Sequence, residues 1–322
     1  MKAYIYGANG PAISEVSKPT PKGAQVLVRV HACGLNRADL GMTKGHVHGS
    51  AGGVGTVLGI EWAGEVAEIG PDAKGVKVGD KVMGSGGGAF AEYTLADHGR
   101  LFRAPSNMNF EEAATLPVAL STMHNAVVTN GALQPGQSVL IQGASSGVGL
   151  MALQIAKLKG AKLVIGSSTD TVRRSRLKEF GADLAVDSSD PGWVDQVLKA
   201  TGGEGVDLII DQVSGKVASQ NLAATKIKGR IVNVGRLGGT HADFNFDLHA
   251  ARRIQYIGVT FRTRSIEEIR EIFDEVRKDI WPAVESRKLQ LPIDKVFAFD
   301  DIGKAFEHME ANRHLGKIVV TL

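Results

Sequence analysis

Two kinds of hydrophobic pattern divide the chain near residue 120. Before that point, short apolar runs such as residues 26–30 and 64–69 alternate with turns rich in glycine and proline, as antiparallel strands do. After Ser138, apolar runs are separated by segments in which apolar residues recur about every 3.6 positions, which is typical of amphipathic helices. The pattern therefore predicts a small β-barrel followed by a parallel sheet that is covered by helices.

The second part begins with a strand, a turn and a helix. Residues 139–142 form an apolar run, and the helix after the turn carries its apolar residues on one face from Val148 to Leu158. In a dinucleotide-binding fold, the N-terminus of this helix binds the pyrophosphate. Further strands are predicted at residues 162–165, 207–211, 230–234 and 255–261. The candidate phosphate-binding residues are those of the turn, namely Ala144, Ser145, Ser146, Gly147, Val148 and Gly149.

The turn keeps only part of the glycine fingerprint of such folds. Against G-x-G-x-x-G, it retains the last glycine, Gly149, while Ala144 and Ser146 replace the first two. Both replacements are small enough to let a phosphate approach, and Ser146 adds a hydroxyl group. The alternation of strands and helices therefore carries the prediction, and the fingerprint alone does not.

Composition and charge limit the possible functions. The 322 residues suit two domains, and 37 basic against 34 acidic side chains give no electrostatic footprint for nucleic acid. The single cysteine, Cys33, excludes an internal disulfide and is expected to be a small buried apolar residue. No apolar run approaches the ~20 residues of a membrane span, and the first residues lack the apolar region of a secretion signal. We therefore expect a cytoplasmic protein without nucleic-acid or membrane partners.

Several longer motifs are similar to those of the medium-chain dehydrogenase/reductase superfamily, and specifically of its zinc-free quinone oxidoreductase (ζ-crystallin-like) branch. They are residues 28–39, 58–66, 78–84, 111–117, 177–183 and 316–319. The resemblance implies an α/β fold with a GroES-like β-barrel catalytic domain and a Rossmann domain with a doubly wound parallel sheet. We expect residues 1–120 to form the catalytic domain, 121–261 the NADP-binding Rossmann domain, and 262–322 to return and complete the catalytic domain, with a cleft between the two domains.

The resemblance also implies a homo-oligomer paired through the edge strands of the Rossmann sheet. Residues 255–261 are predicted to be such an apolar edge strand, which is stabilised by pairing. A homodimer is expected, although the sequence leaves a tetramer equally open.

The positions that hold zinc in related enzymes carry other residues here. Asn36 stands at the first ligand position, and Gly59-Ile60-Glu61 replaces the Gly-His-Glu of the zinc enzymes. Catalytic zinc requires three protein ligands and one open position, so we expect no metal. Without such a Lewis acid, reduction of an electron-poor acceptor is favoured over oxidation of an alcohol.

The end of the second predicted strand indicates which nicotinamide cofactor is bound. NAD enzymes place an acidic residue there for the ribose 2′-hydroxyl, whereas this strand ends at Ser167 and Ser168 and is followed by Arg173. A guanidinium group suits a phosphate, so NADPH is favoured over NADH. Arg173 can equally be a solvated residue of a helix. Asp170 is an acidic residue near the strand end and argues against NADPH, unless it serves as the N-cap of that helix.

Other roles follow partly from the resemblance and partly from the residue types themselves. Thr122 is expected to contact the nicotinamide carboxamide. Asn36 is expected either to orient an acceptor carbonyl or to hold a loop, and Arg37 and Asp39 are expected to stabilise the turn as a local pair. The remaining cofactor-binding candidates lie after the later strands and are Val213, Gly235, Arg236, Phe261 and Arg262.

The proton donor is the least determined part of the site. Relatives often carry a tyrosine in the loop after Asn36, but this loop has none and contains His46 and His48 instead. Either histidine can be a proton donor near neutral pH, or both can be ordinary solvated loop residues.

These observations predict an NADPH-dependent enzyme that transfers hydride to a quinone, a small electrophilic acceptor. Two alternatives stay open: an NADPH-dependent reductase of activated C=C bonds in 2-enals or 2-enones, and a non-catalytic NADPH-binding protein.

Overall fold

The computed structural model describes residues 1–322, which divide into two units. The first consists of Met1–Ser121 together with Phe261–Leu322, and the second consists of Thr122–Thr260. None of the helices combines the length and the apolar character needed to span a bilayer.

The first unit is built around a seven-stranded sheet. Its elements in chain order are β1 (Lys2–Gly7), β2 (Gly10–Glu15), β3 (Gln25–Gly34), α1 (Arg37–Met42), β4 (Val47–His48), β5 (Ala51–Gly52), β6 (Glu61–Ile69), β7 (Lys81–Ser85), β8 (Tyr93–Asp97), β9 (Leu101–Arg103), α2 (Phe110–Ala113) and, after the second unit, α9 (Ile266–Asp279), α10 (Trp281–Glu285), β16 (Ile293–Ala298), α11 (Ile302–Glu310) and β17 (Lys317–Thr321). Helix α3 (Pro117–His124) joins the two units.

Strand order brings the two ends of the chain together in this sheet. The order is β16-β17-β3-β6-β7-β9, and β8 also pairs with β3. The C-terminal strand β17 runs antiparallel to the last residues of β3, with Val319 opposite Gly34, and Leu35 N donates to Ile318 O at 2.9 Å. As a result, the end of β3 and the first residues of β6 and β17 lie side by side. The core behind them contains fully buried Trp62, Phe90 and Leu58.

The second unit is a six-stranded parallel sheet with helices. Its elements are β10 (Ser138–Gln142), α4 (Gly147–Leu158), β11 (Leu163–Ser167), α5 (Thr171–Ser175), β12 (Leu184–Val186), α6 (Trp193–Ala200), β13 (Val206–Asp211), α7 (Ala218–Ala224), β14 (Thr225–Asn233), α8 (Phe246–Arg252) and β15 (Gln255–Gly258).

Its strand order, β12-β11-β10-β13-β14-β15, reverses direction between β10 and β13. Ligands of such sheets bind beyond the carboxyl ends of the strands at this point. All five residues of β10 are buried, because a central parallel strand has helices on both faces.

Several boundaries differ from the sequence prediction. The strand predicted at residues 255–261 ends at Gly258, and Val259 makes only one further backbone hydrogen bond, to Asn233 O. The helix predicted at residues 120–130 is α3 followed by a wider π-helical turn, Asn125–Asn130. Leu158, which was predicted to lie on the apolar face of α4, is 41% exposed. It is the last residue of the helix. The loop predicted at residues 44–59 contains the short strands β4 and β5.

Candidate functional site

The small-residue turn of the second unit is a close-packed cap on helix α4. Ser146 is the N-cap residue, and its Oγ accepts a hydrogen bond from Gly149 N at 3.1 Å. A Cβ at Gly149 would lie 2.7 Å from Ala144 Cα, so only glycine lets the helix approach the turn this closely. The remaining N–H groups of the first helical turn have no partner within the helix, and the helix dipole makes this end positive. The turn therefore fits a pyrophosphate.

Gln212, which follows β13, ties this turn to the neighbouring strand. Ser146 Oγ lies 3.0 Å from Gln212 Oε1, and Gln212 Nε2 donates to Gln142 O at 3.2 Å. A Cβ at Gly235 would lie 2.6 Å from Gln212 O, so the chain after β14 packs directly on the same residue. The predicted residues Val213 and Gly235 therefore lie beside the turn.

The end of β11 carries hydroxyl groups where NAD enzymes carry an acid. Ser167 is fully buried, and Ser168 Oγ donates to Ser145 Oγ of the turn at 3.0 Å. Asp170 is the N-cap of α5, which accounts for the one contrary acid: its Oδ1 accepts from Arg173 N at 2.8 Å.

Of the two neighbouring arginines, Arg174 reaches this strand end. Its Nη1 donates to Ser168 O at 2.8 Å and to Asp187 Oδ2 at 2.9 Å. Arg173 Nε lies 3.6 Å from the Asp170 carboxylate. The sequence predicts Arg173 as the basic residue for the 2′-phosphate. It indicates Arg174 only because this second arginine follows directly.

The other predicted cofactor residues are more dispersed. Arg236 is exposed, and its Nη1 donates to Val234 O at 3.2 Å. Thr122 is half-buried on α3. Phe261 and Arg262 belong to the first unit, where the Arg262 backbone lies against Gly49 of the histidine loop.

In the first unit, three strand ends bring Asn36, Glu61 and Lys317 into contact. Asn36 Nδ2 donates to Glu61 Oε2 at 2.9 Å, and Lys317 Nζ donates to Asn36 Oδ1 at 2.9 Å. Lys317 and Glu61 form an ion pair in which their side chains are 5% and 0% exposed. Glu61 Oε1 also accepts from Val118 N at the start of α3, at 2.6 Å. The buried charges are thus paired and hydrogen-bonded, as burial requires.

This arrangement fixes the amide of Asn36. A turned amide would place its NH₂ group against the Lys317 ammonium and its oxygen against the Glu61 carboxylate, so both contacts would become repulsive. In the observed orientation, Nδ2 also donates to Gly34 O at 3.3 Å. Both amide hydrogens are therefore used inside the protein, and the oxygen accepts from Lys317.

Asp39 lies below Asn36 on α1 and is fully buried. Its Oδ2 accepts from Asn36 N at 2.7 Å, whereas its Oδ1 has no hydrogen-bond partner. Burial raises the pKa of this carboxyl from 3.8 to about 8. Arg37 does not form the expected local pair with it, because its guanidinium donates instead to Met309 O and Asn312 Oδ1.

The two loop histidines differ in environment. His46 is exposed, and His48 is half-buried. Burial, followed by the charge of Arg262, lowers the pKa of His48 below 6.5, so His48 is neutral at pH 7. Since a neutral imidazole is a weak acid, this environment argues against His48 as a proton donor.

No group of three or more His, Cys, Asp or Glu side chains is arranged to hold a metal ion. Cys33 is fully buried, and its Sγ donates to Ala89 O at 3.0 Å. The role of Lys317 was not predicted from the sequence, although a lysine that opens an apolar C-terminal strand is an available signal.

Comparison with known proteins supports the family and the fold. Residues 22–106 match the family model of the alcohol dehydrogenase GroES-like domain, and residues 147–278 match that of zinc-binding dehydrogenase. Mouse quinone oxidoreductase-like protein 2 is 31% identical over 313 residues, which cover 96% of this chain and 88% of that protein. The predicted combination of a GroES-like barrel and a Rossmann sheet is confirmed.

The chain is also similar to parts of much longer proteins. It is 31% identical over 312 residues to a phenolphthiocerol/phthiocerol polyketide synthase protein of Mycobacterium tuberculosis; the match covers 96% of this chain but only 14% of that protein. Among solved structures, the CurK enoyl reductase has a TM-score of 0.86 at 25% identity and 99% coverage of both chains. Mycobacterial Rv1454c, solved in complex with NADPH, has a TM-score of 0.88 at 22% identity and covers 100% of both chains.

Proposed function

The chain belongs to the quinone oxidoreductase-like branch of the medium-chain dehydrogenase/reductase superfamily, and we propose that it is an NADPH-dependent reductase of quinones. NADPH supplies the hydride when it is bound. The observation that carries the proposal is the phosphate turn on α4, which lies beside a strand end that has Ser168 instead of an acid and Arg174 above it.

The cofactor preference rests on charge and geometry at the end of β11. A carboxylate at that position would repel a 2′-phosphate, whereas the Ser168 hydroxyl, which donates to Ser145 Oγ, carries no charge. Arg173 and Arg174 supply two guanidinium groups within the same turn of α5, and each is already oriented by an aspartate. Two such groups favour the cofactor that carries the additional phosphate.

Asn36 is proposed to hold the loop after β3 and not to donate to an acceptor. Its amide hydrogens are held by Glu61 and Gly34 and its Oδ1 accepts from Lys317, so the polar atoms of the side chain have partners inside the protein. Of the two roles that the sequence left open for Asn36, the structure favours the one in which it holds a loop. Zinc independence stays a prediction, and Lys317 supports it because its ammonium already contacts oxygen atoms of both Asn36 and Glu61.

A second candidate function is reduction of an activated C=C bond. The observation that favours it is the similarity to a polyketide synthase protein and to the CurK enoyl reductase. Quinones and enoyl compounds accept hydride at an electron-poor centre and then a proton, so one site can be adapted to either. Cytoplasmic location and a homodimer remain part of the proposal; the edge strand β15 carries Tyr256 at 37% exposure, which a partner can cover.

The test is NADPH oxidation by the purified protein with 9,10-phenanthrenequinone, 2-enals, 2-enones and a 2-enoyl thioester in parallel, with NADH as the control cofactor. Turnover of the quinone with NADPH and little with NADH supports the proposal. Activity confined to the enoyl compounds establishes the second candidate, and NADPH binding without turnover of any acceptor indicates a non-catalytic protein.

The proton donor is tested with the histidine variants His46→Gln and His48→Gln. If His46 donates the proton, we expect kcat of the wild type to decline at high pH, and we expect His46→Gln to lose this decline and His48→Gln to keep it. If the pH profiles of kcat for the wild type and both variants superimpose, neither histidine is the proton donor.

A further inference from the structure

Four polar side chains in the second unit are fully buried where the parallel strands end. Gln142 ends β10, Ser167 ends β11, Asp211 ends β13 and Asn221 lies on α7; each has 0% exposed surface. Buried polar groups persist when they are hydrogen-bonded, and the partners of these four form one continuous chain.

This series of hydrogen bonds starts at the Asp211 carboxylate and ends at Gly143, next to the phosphate turn. Asn221 Nδ2 donates to Asp211 Oδ2 at 3.1 Å, and Gln142 Nε2 donates to Asn221 Oδ1 at 2.9 Å. Ser167 Oγ donates to Gln142 Oε1 at 2.6 Å, and Gly143 N donates to Ser167 Oγ at 3.0 Å. Gly143, with φ of 70°, directly precedes the turn residues 144–149.

The direction of every bond in this chain follows from the charge of Asp211. A carboxylate only accepts, so Asn221 must present its NH₂ group to it and its oxygen to Gln142. Gln142 must then present its own NH₂ group to Asn221 and its oxygen to Ser167. The hydroxyl of Ser167 is thereby turned toward Gln142, which leaves its lone pairs for Gly143 N.

Asp211 also holds the loop that follows β13. Its Oδ1 accepts from Val213 N at 2.9 Å and from Ser214 N at 2.8 Å. Burial raises the pKa of this carboxyl from its ordinary value, and these two backbone hydrogen bonds act in the opposite direction. Ser214 has a φ of 56°, a positive value that strains a non-glycine residue and needs support from its surroundings. The Ser214 hydroxyl adds to this support by donating to Gly235 O at 2.6 Å.

We propose that Asp211 is a positioning residue for the dinucleotide: its charge orients the chain Asn221–Gln142–Ser167 and so holds the phosphate turn and the loop after β13 in one arrangement. The inference rests on the proposed binding of NADPH to this unit. Asp211 itself acts through these neighbours.

The test moves the negative charge from residue 211 to residue 221 within this series of hydrogen bonds. Asp211→Asn places two NH₂ groups against each other, so the amides turn and Gln142 presents its NH₂ group to Ser167. The buried Ser167 hydroxyl, which accepts from Gly143 N, then loses the acceptor for its own hydrogen, and we expect the Kd for NADPH to rise at least 10-fold. Adding Asn221→Asp restores an acceptor next to both Gln142 and the new amide, so the double variant should recover to within about threefold of the wild type. Asn221→Asp alone, with two facing carboxylates, is the control.

The measurements are NADPH titration by fluorescence and urea unfolding of the same preparations. A purely structural role predicts lower stability of Asp211→Asn with an unchanged Kd in the folded protein, which would overturn the inference, as would a double variant that regains stability but not affinity. Ser167→Ala removes the hydrogen bond from Gly143 N to Ser167 Oγ without changing any charge. An unchanged Kd of this variant for NADPH would also overturn the inference. Failure of the wild type itself to bind NADPH would instead refute the proposed function.

Discussion

Asp39 offers a direct test of the buried network around Asn36. Its carboxyl is fully buried, and Oδ2 accepts from Asn36 N while Oδ1 has no partner. Burial raises its pKa from 3.8 to about 8; the nearby Glu61 charge acts in the same direction, and the hydrogen bond from Asn36 and the charge of Lys317 oppose it. Asp39→Asn keeps an acceptor for Asn36 N and removes the titration.

The sign and size of the effect follow from proton linkage. Between pH 3.8 and 8, the folded wild type holds a proton on Asp39 that the unfolded chain releases, so its stability falls as pH rises. The slope is about 1.4 kcal/mol per pH unit. From pH 5 to pH 7, the free energy of unfolding of Asp39→Asn should therefore gain about 2.7 kcal/mol relative to the wild type.

Urea unfolding of both proteins at pH 5, 6 and 7 measures the difference in their free energies of unfolding. Any constant effect of replacing aspartate by asparagine cancels when this difference is compared between pH values. Asp72→Asn, at an exposed position of the same unit, is the matched control and should show no such divergence. If the curves for Asp39→Asn and the wild type run parallel with pH, the carboxyl is ionised in the folded protein and the reasoning is refuted.

Three further predictions concern single contacts. Lys317→Met should cost about 3–5 kcal/mol in urea unfolding, because it leaves the buried Glu61 charge unpaired, and adding Glu61→Gln should recover most of the loss; equal stability of all three proteins would contradict the pairing. Arg174→Ala should raise the KM for NADPH about 10-fold or more and leave that for NADH unchanged, since only NADPH carries the 2′-phosphate; a parallel change for both cofactors would assign Arg174 a structural role. Gly149→Ala places a Cβ 2.7 Å from the turn backbone and should weaken NADPH binding in a fluorescence titration, whereas Gly303→Ala, with open space around it, should not.

Much of the fold could be predicted because it is encoded locally. A run of β-type apolar residues followed by small residues and a 3.6-residue period predicts a strand, a turn and a helix wherever it occurs, and β10 and α4 follow that prediction. The same local information marked the phosphate turn and the serines that end β11. It was less reliable at boundaries such as Gly258, where an apolar run continues after the strand pairing has ended.

The polar networks depended on strand order, which local patterns do not contain. Lys317 meets Asn36 across 281 residues and Glu61 across 256, because the C-terminal strand pairs with β3. Periodicity reports which face of an element is apolar, but not which polar residues from distant elements share a buried site. The sequence by itself therefore determined the strand, turn and helix that begin the second unit, and only the tertiary structure decided how the buried charges of this protein are paired, since that pairing arises from non-local contacts.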